Sequence, residues 1–166
     1  MNKKLLIYRI VLLCLILSTM VFIFIYSAQP SDASHDASAG IVTGIVDKVA
    51  PGVSGNYEVF ETIHLWIRKL FHVAEFALLS FFFTLFISTF KMKQWHHALI
   101  AIGFSILYAI SDEIHQYFVP GRGATLLDVG IDSIGAILGW AFALLTLFLY
   151  GHLQKRKSPT QEQPLD

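Results

Sequence analysis

The chain has 166 residues, of which 55% are hydrophobic and 14% charged, against ~25% charged in an average soluble domain. Twelve basic side chains balance twelve acidic ones, which removes the electrostatic footing for nucleic-acid binding. The length suits one domain, and the composition is that of a membrane protein.

A helix of ~20 apolar residues crosses the hydrocarbon of a bilayer. The first such stretch runs from Leu5 to Tyr26, so residues 1–26 read as a first transmembrane helix ahead of a domain spanning 27–166. Asn2, Lys3 and Lys4 give it the basic front of a signal peptide, but its apolar run exceeds the ~7–15 residues of a signal core. An uncleaved helix is expected. Cys14, the only cysteine, has no partner for an internal disulfide and is expected to be a buried, inert thiol. Between the first two spans lies a segment of about 40 residues, from Ser27 to Lys69, whose Gln29-Pro30 stops the first helix. Within it Ile41, Val42, Ile45, Val46 and Val49 recur at helical spacing behind the candidate caps Ser34 and Ser38. They predict a short amphipathic helix on the membrane surface or plugging the bundle, ended by Pro51-Gly52. Three more apolar stretches follow, Leu70 to Phe90, Ala98 to Val119 and Val129 to Tyr150. The expected fold is all-α, a four-helix membrane bundle with one surface helix.

Basic residues gather on the cytoplasmic side of membrane proteins. With the N-terminus inside, the cytoplasmic segments hold Lys3, Lys4, Arg9, Lys91, Lys93, Lys155, Arg156 and Lys157, eight of the twelve basic residues. Both termini are therefore expected to be cytoplasmic. Trp66 and Trp95 mark the two interfaces of the second span.

Ionisable residues inside a membrane are costly and point to function. Glu61, His64, Arg68, His72 and Glu75 follow one another at spacings of three or four, and at ~100° per residue they form one stripe. Below Glu75 the stripe becomes Leu79 and Phe82. On the third span Ser105, Tyr108, Asp112, His115 and Gln116 share a face, while Glu113 lies ~100° round from Asp112, towards a different neighbour. Pro120-Gly121-Arg122-Gly123 makes a reversal. Asp128, Asp132, Gly135 and Gly139 then share one face of the fourth span. The glycine pair permits close helix approach, and a second copy of the chain is one expected partner for it. Given the topology, the polar segments of all three helices meet in the outer third of the bilayer.

These residues also resemble a known family. Ser111-Asp112-Glu113-Ile114-His115-Gln116-Tyr117-Phe118-Val119-Pro120-Gly121-Arg122, with Asp128, Asp132, Gly135 and Gly139 after it, resembles the central signature of the VanZ-like family of bacterial membrane proteins. Arg68-Lys69-Leu70-Phe71-His72-Val73-Ala74-Glu75-Phe76 resembles its second motif, with Phe76 where tyrosine is common. Ser27 to Pro30 resembles its third. The resemblance implies a role in the bacterial cell envelope, the family's namesake being linked to resistance to teicoplanin-type glycopeptides. It implies no settled reaction.

Arg68, His72, Glu75, Asp112, Glu113, His115, Gln116, Arg122, Asp128 and Asp132 are the expected shared site, with Asp112, His115 and Arg122 foremost. Guanidinium groups suit a phosphate or carboxylate, so a membrane lipid or lipid-linked envelope precursor is the expected ligand. Acid–base chemistry by His72 or His115 with Glu75, Asp112 or Glu113 is the alternative. A structural network is the third reading, with Arg68 paired to Asp112 or Asp128 and Glu75 to His115. The residues name no cofactor, and the metal question stays open: two imidazoles and several carboxylates are expected at one depth, but no pair has the spacing of a metal motif. Glu61 and His64 are expected to be solvated, Lys69 to reach the outer headgroups, Ser105 to bond its own helix, and His96 and His97 to be solvated on the cytoplasmic side.

Overall fold

In the computed structural model, which describes residues 2–49 and 57–157, five helices follow one another: α1 (Lys3–Ser27), α2 (Ser31–Val49), α3 (Tyr57–Ile87), α4 (Gln94–Tyr117) and α5 (Leu126–Lys157). Four of them, α1, α3, α4 and α5, are long and apolar enough to cross a membrane. No strand occurs among the described residues.

The start of α1 is set by Asn2, whose side chain accepts a hydrogen bond from the Lys4 amide at 3.0 Å, the usual device for an orphan N–H. Leu12, Ile16, Thr19, Ile23 and Ser27 are buried at spacings of three and four, so one stripe of α1 faces the bundle. Cys14 lies off that stripe and is exposed. The expectation of a buried thiol fails because a helix hydrophobic all round gives no clue to which side faces lipid.

The central core is formed by Ile16 and Ile23 of α1, Phe76 and Leu79 of α3 and Ala109 of α4, with Met20, Phe82, Phe83, Phe86 and Tyr108 against it. Phe83 and Phe104 stack with centroids 4.3 Å apart. Lipid is as apolar as these side chains, so fit between them holds the helices together. The tightest fit is between α3 and α5. A Cβ on Gly135 or Gly139 would land on the backbone of Val73 or Ala77, so the glycines bring two backbones into contact. The close approach is made within the chain.

α3 starts at Tyr57, well before the expected Leu70. The helical spacing of Glu61, His64 and Arg68 carries the helix on beyond its apolar part. Its 31 residues make about 46 Å at ~1.5 Å per residue, against ~30 Å of hydrocarbon. α2 also starts earlier than its apolar stripe. Of that stripe Val42 and Val46 are buried, whereas Ile41, Ile45 and Val49 are exposed. Pro51-Gly52 and the turn to α3 lie outside the described residues.

At the end opposite the site, Arg9 of α1 ties down the turn after α3. Its Nε donates to the Thr89 hydroxyl at 2.9 Å and its Nη2 to the Thr89 carbonyl at 2.8 Å. The guanidinium also lies 4.1 Å from the centroid of the Phe90 ring. A planar fork satisfies both oxygens at once, and a cation at a helix C-terminus is favoured by the dipole. His97 bonds the Phe90 carbonyl at 3.2 Å and His96 stacks on Trp95, so neither is simply solvated.

Candidate functional site

The site forms where α3 begins to enter the bundle, α4 leaves it and α5 re-enters. One face of α5 carries Asp128 and Asp132 above Gly135 and Gly139. The glycines hold α5 on α3 below, and the larger polar side chains above keep the two helices apart. A cavity of about 190 Å³ opens there. α3 contributes Arg68, Lys69 and His72 to its wall, α4 Glu113 and Gln116, the reversal Arg122, and α5 Asp128 and Asp132.

Several of these groups are already engaged. Lys69 Nζ donates to Asp128 Oδ1 at 2.6 Å, and the other oxygen of Asp128 accepts from the Thr125 hydroxyl at 2.8 Å. Thr125 caps α5, its hydroxyl accepting from the Asp128 amide at 3.1 Å. In an ordinary capping box the acidic residue also accepts from the cap's own amide. Here Glu113, from the preceding helix, accepts from the Thr125 amide at 2.7 Å. Glu113 is thus a joint between α4 and α5.

Asp112, its neighbour in sequence, reaches the opposite way. Asp112 Oδ2 accepts from Ser27 Oγ at 2.9 Å and from Gln116 Nε2 at 2.8 Å, and Gln116 also reaches Ser27 at 3.3 Å. The rest of that face turns to α1 as well. The Tyr108 hydroxyl donates to the Met20 carbonyl at 2.7 Å, and the His115 ring stacks on Phe24 with centroids 4.4 Å apart. Ser105 bonds the Ala101 carbonyl of its own helix at 2.9 Å, as expected.

The ten expected residues therefore divide. Arg68, His72, Glu113, Gln116, Arg122, Asp128 and Asp132 line the cavity. Glu75 sits behind His72, with Oε2 3.6 Å from the imidazole Nδ1, just beyond hydrogen-bond reach. Asp112 connects through Gln116, and His115 lies against α1. Of the three residues placed foremost, only Arg122 reaches the cavity. Asp128 pairs with Lys69 rather than Arg68, and Glu75 faces His72 rather than His115, because the rotation of each helix, invisible in its spacing, selects the partner. Lys69 belongs to the site rather than to the headgroups. His64 is fully buried and parallel to the Phe60 ring, centroids 6.1 Å apart, so it is not a solvated side chain. Ser27 was missed as a polar partner, although it stands in the third of the resembling motifs.

Three ionisable groups on the wall have no ion-pair partner among the described residues. Arg68 and Arg122 pair with no carboxylate among the described residues, and Arg122 Nε is buried without a hydrogen bond. Arg122 Nη2 donates only to the Tyr26 carbonyl, at 3.3 Å. Burial, and then the nearby Arg68 guanidinium, push the pKa of Arg122 below its ordinary value, yet a guanidinium stays charged near neutrality. Asp132, 3% exposed, has no hydrogen bond or ion pair among the described residues. No group of three or more His, Cys, Asp or Glu side chains there is arranged to hold a metal ion. A larger cavity, about 410 Å³, lies at the other end of the bundle. Its Thr84 and Ser88 hydroxyls are bonded to their own helix and it carries no acidic or guanidinium group.

Four long apolar helices with a polar cavity at one end of their bundle define a multi-pass membrane protein. The chain belongs to the VanZ/LLP1 family, whose sequence profile matches residues 10–149. That stretch takes in most of α1 together with every residue of the cavity wall. Comparison with curated proteins and with solved structures gives no match.

Proposed function

We propose that the cavity binds the anionic headgroup of a membrane lipid or lipid-linked envelope precursor in the outer leaflet of the bacterial cytoplasmic membrane. By this binding the protein modulates susceptibility to teicoplanin-type glycopeptides. The observation that carries the reading is the pair of guanidinium groups, Arg68 and Arg122, on a cavity wall without carboxylate partners. Two such cations repel each other in a medium of low dielectric, and an anion between them removes the repulsion while accepting their hydrogen bonds.

Depth supports a headgroup. Counting ~20 residues of hydrocarbon back from the end of α3 at Ile87 reaches Ile67 and Arg68. The exposed Trp66 and Trp95 rings suit the two interfaces. The distribution of basic residues supports cytoplasmic termini, which puts the cavity on the outer side.

The test compares wild type with Arg68→Gln and Arg122→Gln in a strain lacking its own copy, with membrane levels matched by immunoblot. Wild type is expected to alter teicoplanin susceptibility and to retain an anionic lipid through purification, and both variants to lose both properties. Variants that keep both properties refute the reading. A reporter fused to the C-terminus checks the orientation, and activity only from a periplasm-dependent reporter refutes cytoplasmic termini.

One observation favours a second reading. His72 lines the cavity with Glu75 behind it at 3.6 Å, an imidazole backed by a carboxylate beside the phosphate position, which suits proton transfer. Turnover of a labelled lipid phosphate that His72→Ala abolishes and His72→Ala lipid retention that stays intact would establish an enzyme rather than a binder.

A further inference from the structure

The anion-binding reading, on which this inference rests, accounts for Arg68 and Arg122 but leaves Asp132 without a role. Asp132 lines the same cavity and is 3% exposed. The wall's ammonium group, Lys69, is bound to Asp128 at 2.6 Å. Neither guanidinium forms an ion pair with it. Asp132 shares the wall with Glu113 and Asp128 as well as with Arg68, Lys69 and Arg122, and it bonds to none of them. A carboxylate so buried stays ionised only where a cation or donor meets it. The wall thus offers cationic donors at Arg68 and Arg122 and a separate anionic acceptor at Asp132, which do not neutralise each other.

We propose that the ligand is zwitterionic, a phosphate linked through a short carbon chain to a primary ammonium group. Arg68 and Arg122 hold the phosphate and Asp132 accepts from the ammonium. A ligand carrying both charges meets the guanidinium groups and the carboxyl together, whereas a simple anion leaves Asp132 unmet. Size agrees with this class. The cavity, about 190 Å³, has room for a phosphate and a small amine.

The experiment uses purified full-length protein in detergent and short-chain lipid probes, dihexanoyl phosphatidylethanolamine against dihexanoyl phosphatidylglycerol, with dihexanoyl phosphatidylcholine as a cation without an N–H donor. Binding is read by calorimetry. Wild type is expected to bind the ethanolamine probe about tenfold more tightly than the glycerol probe, and the choline probe more weakly than ethanolamine. Asp132→Asn is expected to bring the ethanolamine-to-glycerol ratio to about one while glycerol binding persists. Competition by free phosphoethanolamine would show that the headgroup alone is recognised, and its failure with the preference intact would show that the lipid form is required. Equal binding of the two probes by wild type, with both lost in Arg68→Gln, overturns the zwitterion but keeps the anion site. A preference that survives in folded Asp132→Asn overturns the role of Asp132. If no probe binds wild type, the anion reading and this inference fall together. The wild-type ratio decides the matter even if Asp132→Asn does not fold.

Discussion

Gly139→Ala adds one methyl group at the closest approach in the bundle. An ideal Cβ there lies 2.7 Å from the Ala77 carbonyl carbon and 2.8 Å from its Cα, whereas carbon atoms rest ~3.5–4.0 Å apart. Relief therefore needs a shift of about 1 Å, and backbone, not a flexible side chain, must move. Overpacking costs ~1–3 kcal/mol, and a backbone clash belongs at the upper end. Replacing a helical glycine with alanine returns ~0.8–1.0 kcal/mol of propensity. The expected net loss is about 2 kcal/mol, or ~4–8 °C in Tm for a chain of this size. Gly103 is the internal control, since a Cβ there meets nothing within 4 Å, and Gly103→Ala is expected to hold or raise Tm. Melting curves of the purified proteins in one detergent supply the comparison. Equal Tm values for Gly139→Ala and Gly103→Ala would refute the backbone contact between α3 and α5.

Ser27→Ala removes the hydroxyl that bonds Asp112 at 2.9 Å, and a buried partner left short costs ~1–3 kcal/mol; a melt shows whether Tm falls, and an unchanged value speaks against the bond. Arg9→Ala frees Thr89 and Phe90 and is expected to cost about 1.5–3 kcal/mol for its charged hydrogen bonds. Arg9→Lys should recover little because an ammonium lacks the fork, so full recovery by lysine counts against the clamp. A nitroxide on Cys14, the only cysteine, is expected to meet dissolved oxygen in the bilayer and to be shielded from an aqueous nickel complex. The opposite pattern would turn that face of α1 inward.

The periodic part of the structure was legible in the sequence. Apolar length gave the four crossing helices, and the spacing of Arg68, His72 and Glu75 gave their shared stripe. The ~100° step from Asp112 to Glu113 foretold different neighbours, and Glu113 indeed goes to Thr125. What spacing leaves open is the rotation of one helix against the next. His115 belongs to the same stripe as Asp112 but meets Phe24, and Lys69 rather than Arg68 meets Asp128. His64 looked solvated because polarity was taken for exposure, yet it is buried beside Phe60. The extra turns of α3 were hidden because the apolar count stops where charges begin, while the backbone goes on coiling.

The divergence of Asp112 and Glu113 makes α4 a crossbar. One carboxylate ties it to Ser27 at the end of the first span, and the next ties it to Thr125 at the start of the last. The two ties face different helices and share no hydrogen-bond partner. A ligand arriving beside Arg122 enters between two fastened ends. The cavity's outline is therefore held by the first and last spans at once, and anything that pries either one away alters its shape.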